Sequence, residues 1–156
     1  MDSNNVKLDK TSTDIVDVLS TVVEKHQLQT ENKTITFSCD IEALMANVDV
    51  FHFENVINNV LDNALKYGGD QINVAVRQNP VAFTISISDN GNSITKANKE
   101  KIFEKFYRIP KGNTHDVKGF GIGLYYTKKI VEKHGGHIAL DLDKNGTTFK
   151  LTFPNA

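Results

Sequence analysis

The apolar residues change their period once, in the middle of the chain, and that change limits the fold more than any other feature. Phe53, Val56, Ile57, Val60, Leu61, Ala64 and Leu65 recur at the spacing of one helix face. Beyond Gly68-Gly69, Ile72, Val74 and Val76 alternate strictly, and so do Val81, Phe83, Ile85 and Ile87. Strict alternation marks strands with one buried face. The turn at 77–80 joins these two into a hairpin. A one-sided helix running straight into a one-sided hairpin buries both apolar faces only if the helix lies on the sheet. The expected fold is therefore α/β, a two-layer sandwich with helices on one face.

The flanking segments fit that frame. Ile15, Val16, Val18, Leu19, Val22 and Val23 have helical spacing, with Ser12 and Thr13 as cap candidates. Strands are expected near 34–38 and 44–48. Asp49 then caps a helix over 50–67, which Gly68-Gly69 ends. A short helix is expected near 96–107 and a longer one over 122–134, stopped by Gly135-Gly136. Two last strands carry Ile138, Leu140, Leu142 and then Phe149, Leu151, Phe153. The sheet should be mixed and mostly antiparallel.

Composition narrows the function classes. The 156 residues suffice for one domain with a real core. Lys plus Arg is 18 and Asp plus Glu 19, a net charge of -1, which excludes a bulk basic nucleic-acid binder. The single cysteine, Cys39, excludes an internal disulfide framework. The polar start of the chain lacks the apolar segment of a signal peptide, and no stretch approaches the ~20 apolar residues of a membrane span. A cytoplasmic domain without membrane contact of its own is expected, although its parent protein is free to be anchored in the inner membrane.

Three segments carry candidate chemistry. On the helix over 50–67, Asn59, Asn63, Lys66 and Tyr67 form a polar stripe beside the apolar one. A solvated helix face is the plain reading. Asn is a mediocre helix former, however, while its amide oxygen suits Mg²⁺ and a nearby Lys suits phosphate. Asp89-Asn90-Gly91-Asn92-Ser93 directly follows an apolar strand. It reads either as a simple turn or as a carboxylate held at a strand end, with Gly91 admitting a flat ligand. A carboxylate accepts hydrogen bonds only, and adenine offers an amino donor. Gly119-Phe120-Gly121-Ile122-Gly123-Leu124 opens the long helix, where backbone amides favour phosphate. Its spacing is not that of a dinucleotide fingerprint, and no Lys-Ser or Lys-Thr follows to make a Walker loop.

In this order and spacing the segments resemble the catalytic, ATP-binding domain of sensor histidine kinases, within the superfamily that includes gyrase and MutL. The run Asn59 to Tyr67 is similar to that family's Asn box, and Asp89-Asn90-Gly91 to its first Gly box. Ile102-Phe103-Glu104-Lys105-Phe106-Tyr107-Arg108 is similar to the Phe box, which within the superfamily belongs to the kinases. Gly119, Gly121 and Gly123 correspond to the second Gly box, and Gly146-Thr147-Thr148-Phe149 to the last box. The likeness runs over 12–154.

The resemblance implies a Bergerat ATP-binding fold and a set of roles. Asn63 would bind Mg²⁺, supported by Asn59. Lys66 and Tyr67 would contact the phosphates of ATP, and Arg108 would approach the terminal one. Asp89 would accept from the adenine amino group, with Gly91 beside the ring and Thr147 in the same network. Gly119, Gly121 and Gly123, with the amides around Leu124, would hold the triphosphate. Phe103 and Phe106 serve either as lid packing or as ligand contacts. The segment 96–119 would be a lid over the nucleotide, ordered in part by ATP. Ser93 departs from the family pattern, which has Gly there, and bears on the lid's first hinge. None of the five histidines, His26, His52, His115, His134 and His137, has the sequence context of a phosphoacceptor. The resemblance therefore implies a kinase domain at 12–156 behind a polar linker at 1–11. Its acceptor histidine lies on a separate dimerisation domain, and a response regulator receiver domain acts downstream. Two further readings stay open: a module of the same fold that senses ATP or ADP without catalysis, and a Ser/Thr kinase or ATPase of that fold.

Overall fold

The computed structural model describes residues 7–91, 94–97, 99, 101–104 and 122–155, the side chains of 122 and 123 excepted. Strand β1 (Thr11–Asp14) leads into helix α1 (Ile15–Gln29), then β2 (Thr34–Ser38), β3 (Met45–Val48) and helix α2 (Val50–Tyr67). The hairpin β4 (Gln71–Gln78) and β5 (Ala82–Asp89) follows. A 3-10 turn at Lys101–Phe103, helix α3 (Ile122–Lys133) and the hairpin β6 (His137–Asp143) and β7 (Gly146–Pro154) complete the order. Five strands form one sheet in the order β2-β4-β5-β7-β6, and β1 pairs with β3 in a separate two-stranded sheet. Among the described strands, β2 and β4 run parallel and the other pairs are antiparallel.

The alternation that the sequence predicts is what the sheet buries. Ile72, Val74 and Val76 on β4, Phe83, Ile85 and Ile87 on β5, and Phe149, Leu151 and Phe153 on β7 all face the helices. Phe83 and Phe153 stack with ring centroids 5.4 Å apart, and Phe53 of α2 meets Phe153 edge-on at the same separation. Each fully buried aromatic of this kind stabilises by about 1.5–3 kcal/mol. The opposite sheet face carries hydroxyls, with Thr84 bonded to Thr152 (3.2 Å) and Ser88 to Thr148 (3.1 Å). Among the described residues, helices therefore cover one face of the sheet, giving two layers.

Three local expectations need correction. The cap of α1 is Asp14, whose carboxylate accepts from the Val16 N–H (3.1 Å), and not Ser12 or Thr13. Those two residues are committed to β1, paired with Asn47 and Ala46. The turn expected at 77–80 starts later, because β4 continues through Gln78. Within the segment expected as a helix at 96–107, the described residues form only the 3-10 turn, which buries Ile102 alone. Residues 105–121, and with them most of the expected lid, lie outside the described residues, as does Ser93.

Candidate functional site

A cleft opens where α2 ends. Asn63, Ala64, Tyr67 and Gly68 line it from α2, Asp89 from the end of β5, and Thr147 and Phe149 from β7. Ile94 and Leu124, the latter in the first turn of α3, complete the wall. Asp89 stands there because it is the next member of the β5 column Phe83, Ile85, Ile87. One apolar column thus ends in a carboxylate on the helix side of the sheet. Thr147 does the same for the β7 column and lies opposite Asp89 in the ladder. Thr147 is buried, and Ala64, Leu124 and Phe149 around it are buried and apolar. An acceptor-only carboxylate beside a hydroxyl, in an apolar slot, suits a flat ring that carries an amino group.

Backbone amides orient that carboxylate. Asp89 Oδ1 accepts from the N–H of Gly91 (2.7 Å) and of Gly69 (3.3 Å). Glycines make this approach possible. A Cβ at Gly91 would stand 2.4 Å from the Gly69 nitrogen, and one at Gly68 would stand 2.5 Å from Asp89 Cγ. Gly146 has φ +144, and a Cβ there would stand 1.9 Å from the Asp89 carbonyl oxygen. Gly68-Gly69 therefore does more than end α2: it lets the turn after the helix touch the turn after β5. No local signal in the sequence reveals this, since the contact spans twenty residues.

The structure gathers five of the expected site residues, Asn63, Tyr67, Asp89, Leu124 and Thr147, around one cleft. Gly91 adjoins it through Asp89. Asn59 lies one helical turn before Asn63, half-buried and away from the cleft lining, and Lys66 is exposed. Gly123 is in the first turn of α3. Arg108, Gly119 and Gly121 lie outside the described residues, as does Phe106. Phe103 packs edge-on against the cleft residue Phe149 (6.3 Å), with the Lys128 ammonium 5.7 Å from its ring centroid. Ala64, Gly68, Ile94 and Phe149 are lining residues that sequence reasoning did not assign to the cleft.

Residues 48–156 match the family described as histidine kinase-, DNA gyrase B-, and HSP90-like ATPase. The chain belongs to this ATPase family. It is 40% identical over 148 residues to the sensor protein RprX of Bacteroides fragilis, covering 90% of this chain and 28% of that one. It is 32% identical over 159 residues to the sensor protein kinase WalK of Staphylococcus aureus, covering 99% and 26%. The chain thus spans about a quarter of the length of these relatives. The solved catalytic domain of histidine kinase ThkA superposes with a TM-score of 0.81 at 25% identity, over 95% of this chain and 99% of that domain. The same kinase has been solved in complex with response regulator protein TrrA. The two-layer fold is that of histidine kinase catalytic domains.

Two buried histidines brace α2 of this ATPase-family domain from opposite sides. In both, Nδ1 donates to the carbonyl four residues earlier, Val22 for His26 and Ile130 for His134, each at 2.9 Å. They differ at Nε2. That of His26 faces the Asp62 carboxylate (3.0 Å) and must donate, so the ring is held as a cation. The Asp62 bond raises its pKa against the opposing effect of burial. That of His134 accepts from the Asp49 N–H (3.1 Å), so the ring is neutral, and burial pushes its pKa down.

Proposed function

We propose that this chain is the ATP-binding catalytic domain of a two-component sensor histidine kinase. It would transfer the γ-phosphoryl group of ATP to a histidine on a separate dimerisation domain, with the polar segment ahead of β1 as the connection. The observation that carries the reading is the Asp89–Thr147 pair closing an apolar cleft, with Asn63 and Tyr67 on its helical wall. Asp89 accepts from the adenine amino group, and the ring lies against Leu124 and Phe149.

Asn63 would supply a protein oxygen to Mg²⁺. Among the described residues no group of three His, Cys, Asp or Glu is placed to hold a metal ion. A lone amide oxygen beside a phosphate site suits Mg²⁺, which keeps waters and takes substrate phosphates as ligands. The ion would neutralise the charge that develops on the phosphates. Lys66, at the exposed end of the same stripe, and the amides of Gly119, Gly121 and Gly123 would hold the triphosphate, with Arg108 near its terminal group. Asn59 supports Asn63 from the preceding turn.

Three of the described histidines support an acceptor elsewhere. His26 and His134 have both ring nitrogens engaged and are buried. His52 Nδ1 is bonded to the Tyr126 hydroxyl. A response regulator is the expected downstream partner, as ThkA is seen with TrrA. Incubation with γ-labelled ATP and Mg²⁺ tests the proposal, with and without the parent's histidine-bearing dimerisation domain. Label on that domain, stable to alkali and lost in acid, is expected. Acid-labile label on this chain by itself, or acid-stable label on the partner, would contradict the reading.

A further inference from the structure

The turn after α2 and the turn after β5 are fastened by one side chain. Asn90 Oδ1 accepts from the Gln71 N–H (3.1 Å), and its Nδ2 donates to Asp70 Oδ1 (3.0 Å). The Asn90 backbone N–H donates to the Gln71 carbonyl (3.2 Å). The amide also lies against Gly69, where a Cβ would stand 1.9 Å from Asn90 Oδ1. Gly69 in turn donates to Asp89 Oδ1. The partners fix the chemistry: a backbone N–H requires an acceptor, and a carboxylate requires a donor. A primary amide offers both in one plane, and an ionised carboxylate does not.

We infer that Asn90 is a positioning residue for base recognition, holding the 68–71 turn against β5 so that the Gly69 amide orients the Asp89 carboxylate in the cleft. This deepens the proposed function and rests on its reading of Asp89 as the acceptor for adenine. Asn90 acts through Asp89, so its loss should affect the base and leave the phosphates alone.

The test compares ATP with inosine triphosphate, whose ring carries an oxo group where adenine carries the amino group. Affinities are measured for the wild-type chain, Asn90→Ala, Asn90→Asp, and the exchange of Asn90→Asp with Asp70→Asn. Asn90→Ala should lose about three- to tenfold in ATP affinity, the scale of its lost hydrogen bonds. Its affinity for inosine triphosphate should hold, so the preference for ATP narrows. Asn90→Asp sets two carboxylates against each other. The exchange reverses donor and acceptor between positions 70 and 90 at unchanged net charge, and should restore the ATP preference. An unchanged preference in Asn90→Ala, a parallel loss of both nucleotides, or an exchange variant no better than Asn90→Asp overturns the inference. A wild-type chain without preference for ATP overturns the reading of Asp89 itself, and the role of Asn90 with it.

Discussion

The two ends of α2 obey the same rule with opposite results. At the first end, the chain itself supplies the partners of Asp49. Asp49, 6% exposed, accepts from the His52 N–H (3.1 Å) and the Asp9 N–H (2.7 Å), and its own N–H donates to His134. Burial pushes its carboxyl pKa up, but the two amides outweigh burial and hold it below the usual range. At the other end, Asn63 and Tyr67 line an open cleft and Lys66 reaches solvent. A buried polar group needs a partner. At the first end the chain supplies it and the group contributes stability; at the other end the cleft leaves room for the proposed ligand. Substitutions at the two ends should therefore separate stability from affinity.

The largest effect should come from the open end. Asn63→Ala should lower transfer to a supplied acceptor domain by roughly a hundredfold or more, and remove the Mg²⁺ dependence of nucleotide binding. Its thermal midpoint should stay close to wild type. Transfer at the wild-type rate would make Asn63 a structural residue. At the closed end, Asp49→Ala removes a helix cap and orphans two amides, so denaturant unfolding should show a loss of about 1–3 kcal/mol. The preference for ATP over inosine triphosphate should survive in the folded fraction. A lost preference with full stability would erase the contrast between the ends.

The smallest effect sharpens the contrast through the two histidines. The folded chain binds the His26 proton more tightly, so its stabilisation is full below the unfolded pKa of about 6.5 and fades as pH rises through the folded value. His134 is shifted down. As pH falls below about 6.5 the unfolded chain takes up a proton that the folded chain resists, and stability declines toward the folded value. The stability gap between wild type and His26→Gln should therefore shrink with rising pH. The gap to His134→Gln should shrink with falling pH. Unfolding midpoints across the range provide the check, and gaps that move in one direction would contradict the two protonation assignments.

Much of this was legible in the sequence because period and caps are local signals. The Asp49 cap, α2 over 50–67, and the apolar columns of β4, β5 and β7 follow from spacing alone. What escaped is non-local. The four residues of β1 carry no alternation and become a strand only through Met45–Val48. The parallel pairing of β2 with β4 depends on the path of α2 between them. In the cleft, Asn63, Tyr67, Asp89, Leu124 and Thr147 were named from motifs. Their convergence depends on contacts the sequence conceals: Gly68 and Gly69 against Asp89 and Asn90, and Ile94 in the wall. Asn59 and Lys66 share the helical stripe by spacing, yet the stripe extends beyond the cleft, so a shared face did not mean a shared lining.

The central claim is that a carboxylate at the end of an apolar column selects adenine. Titration calorimetry of the wild-type chain and Asp89→Asn with ATP and GTP tests it most directly. Loss of a hydrogen bond to a charged group is worth roughly 1.5–3 kcal/mol. Asp89→Asn should therefore bind ATP about tenfold to a hundredfold more weakly. The wild-type chain should reject GTP, whose ring presents an acceptor to the carboxylate. Unchanged ATP affinity in the variant, or equal wild-type affinity for the two nucleotides, would contradict the account.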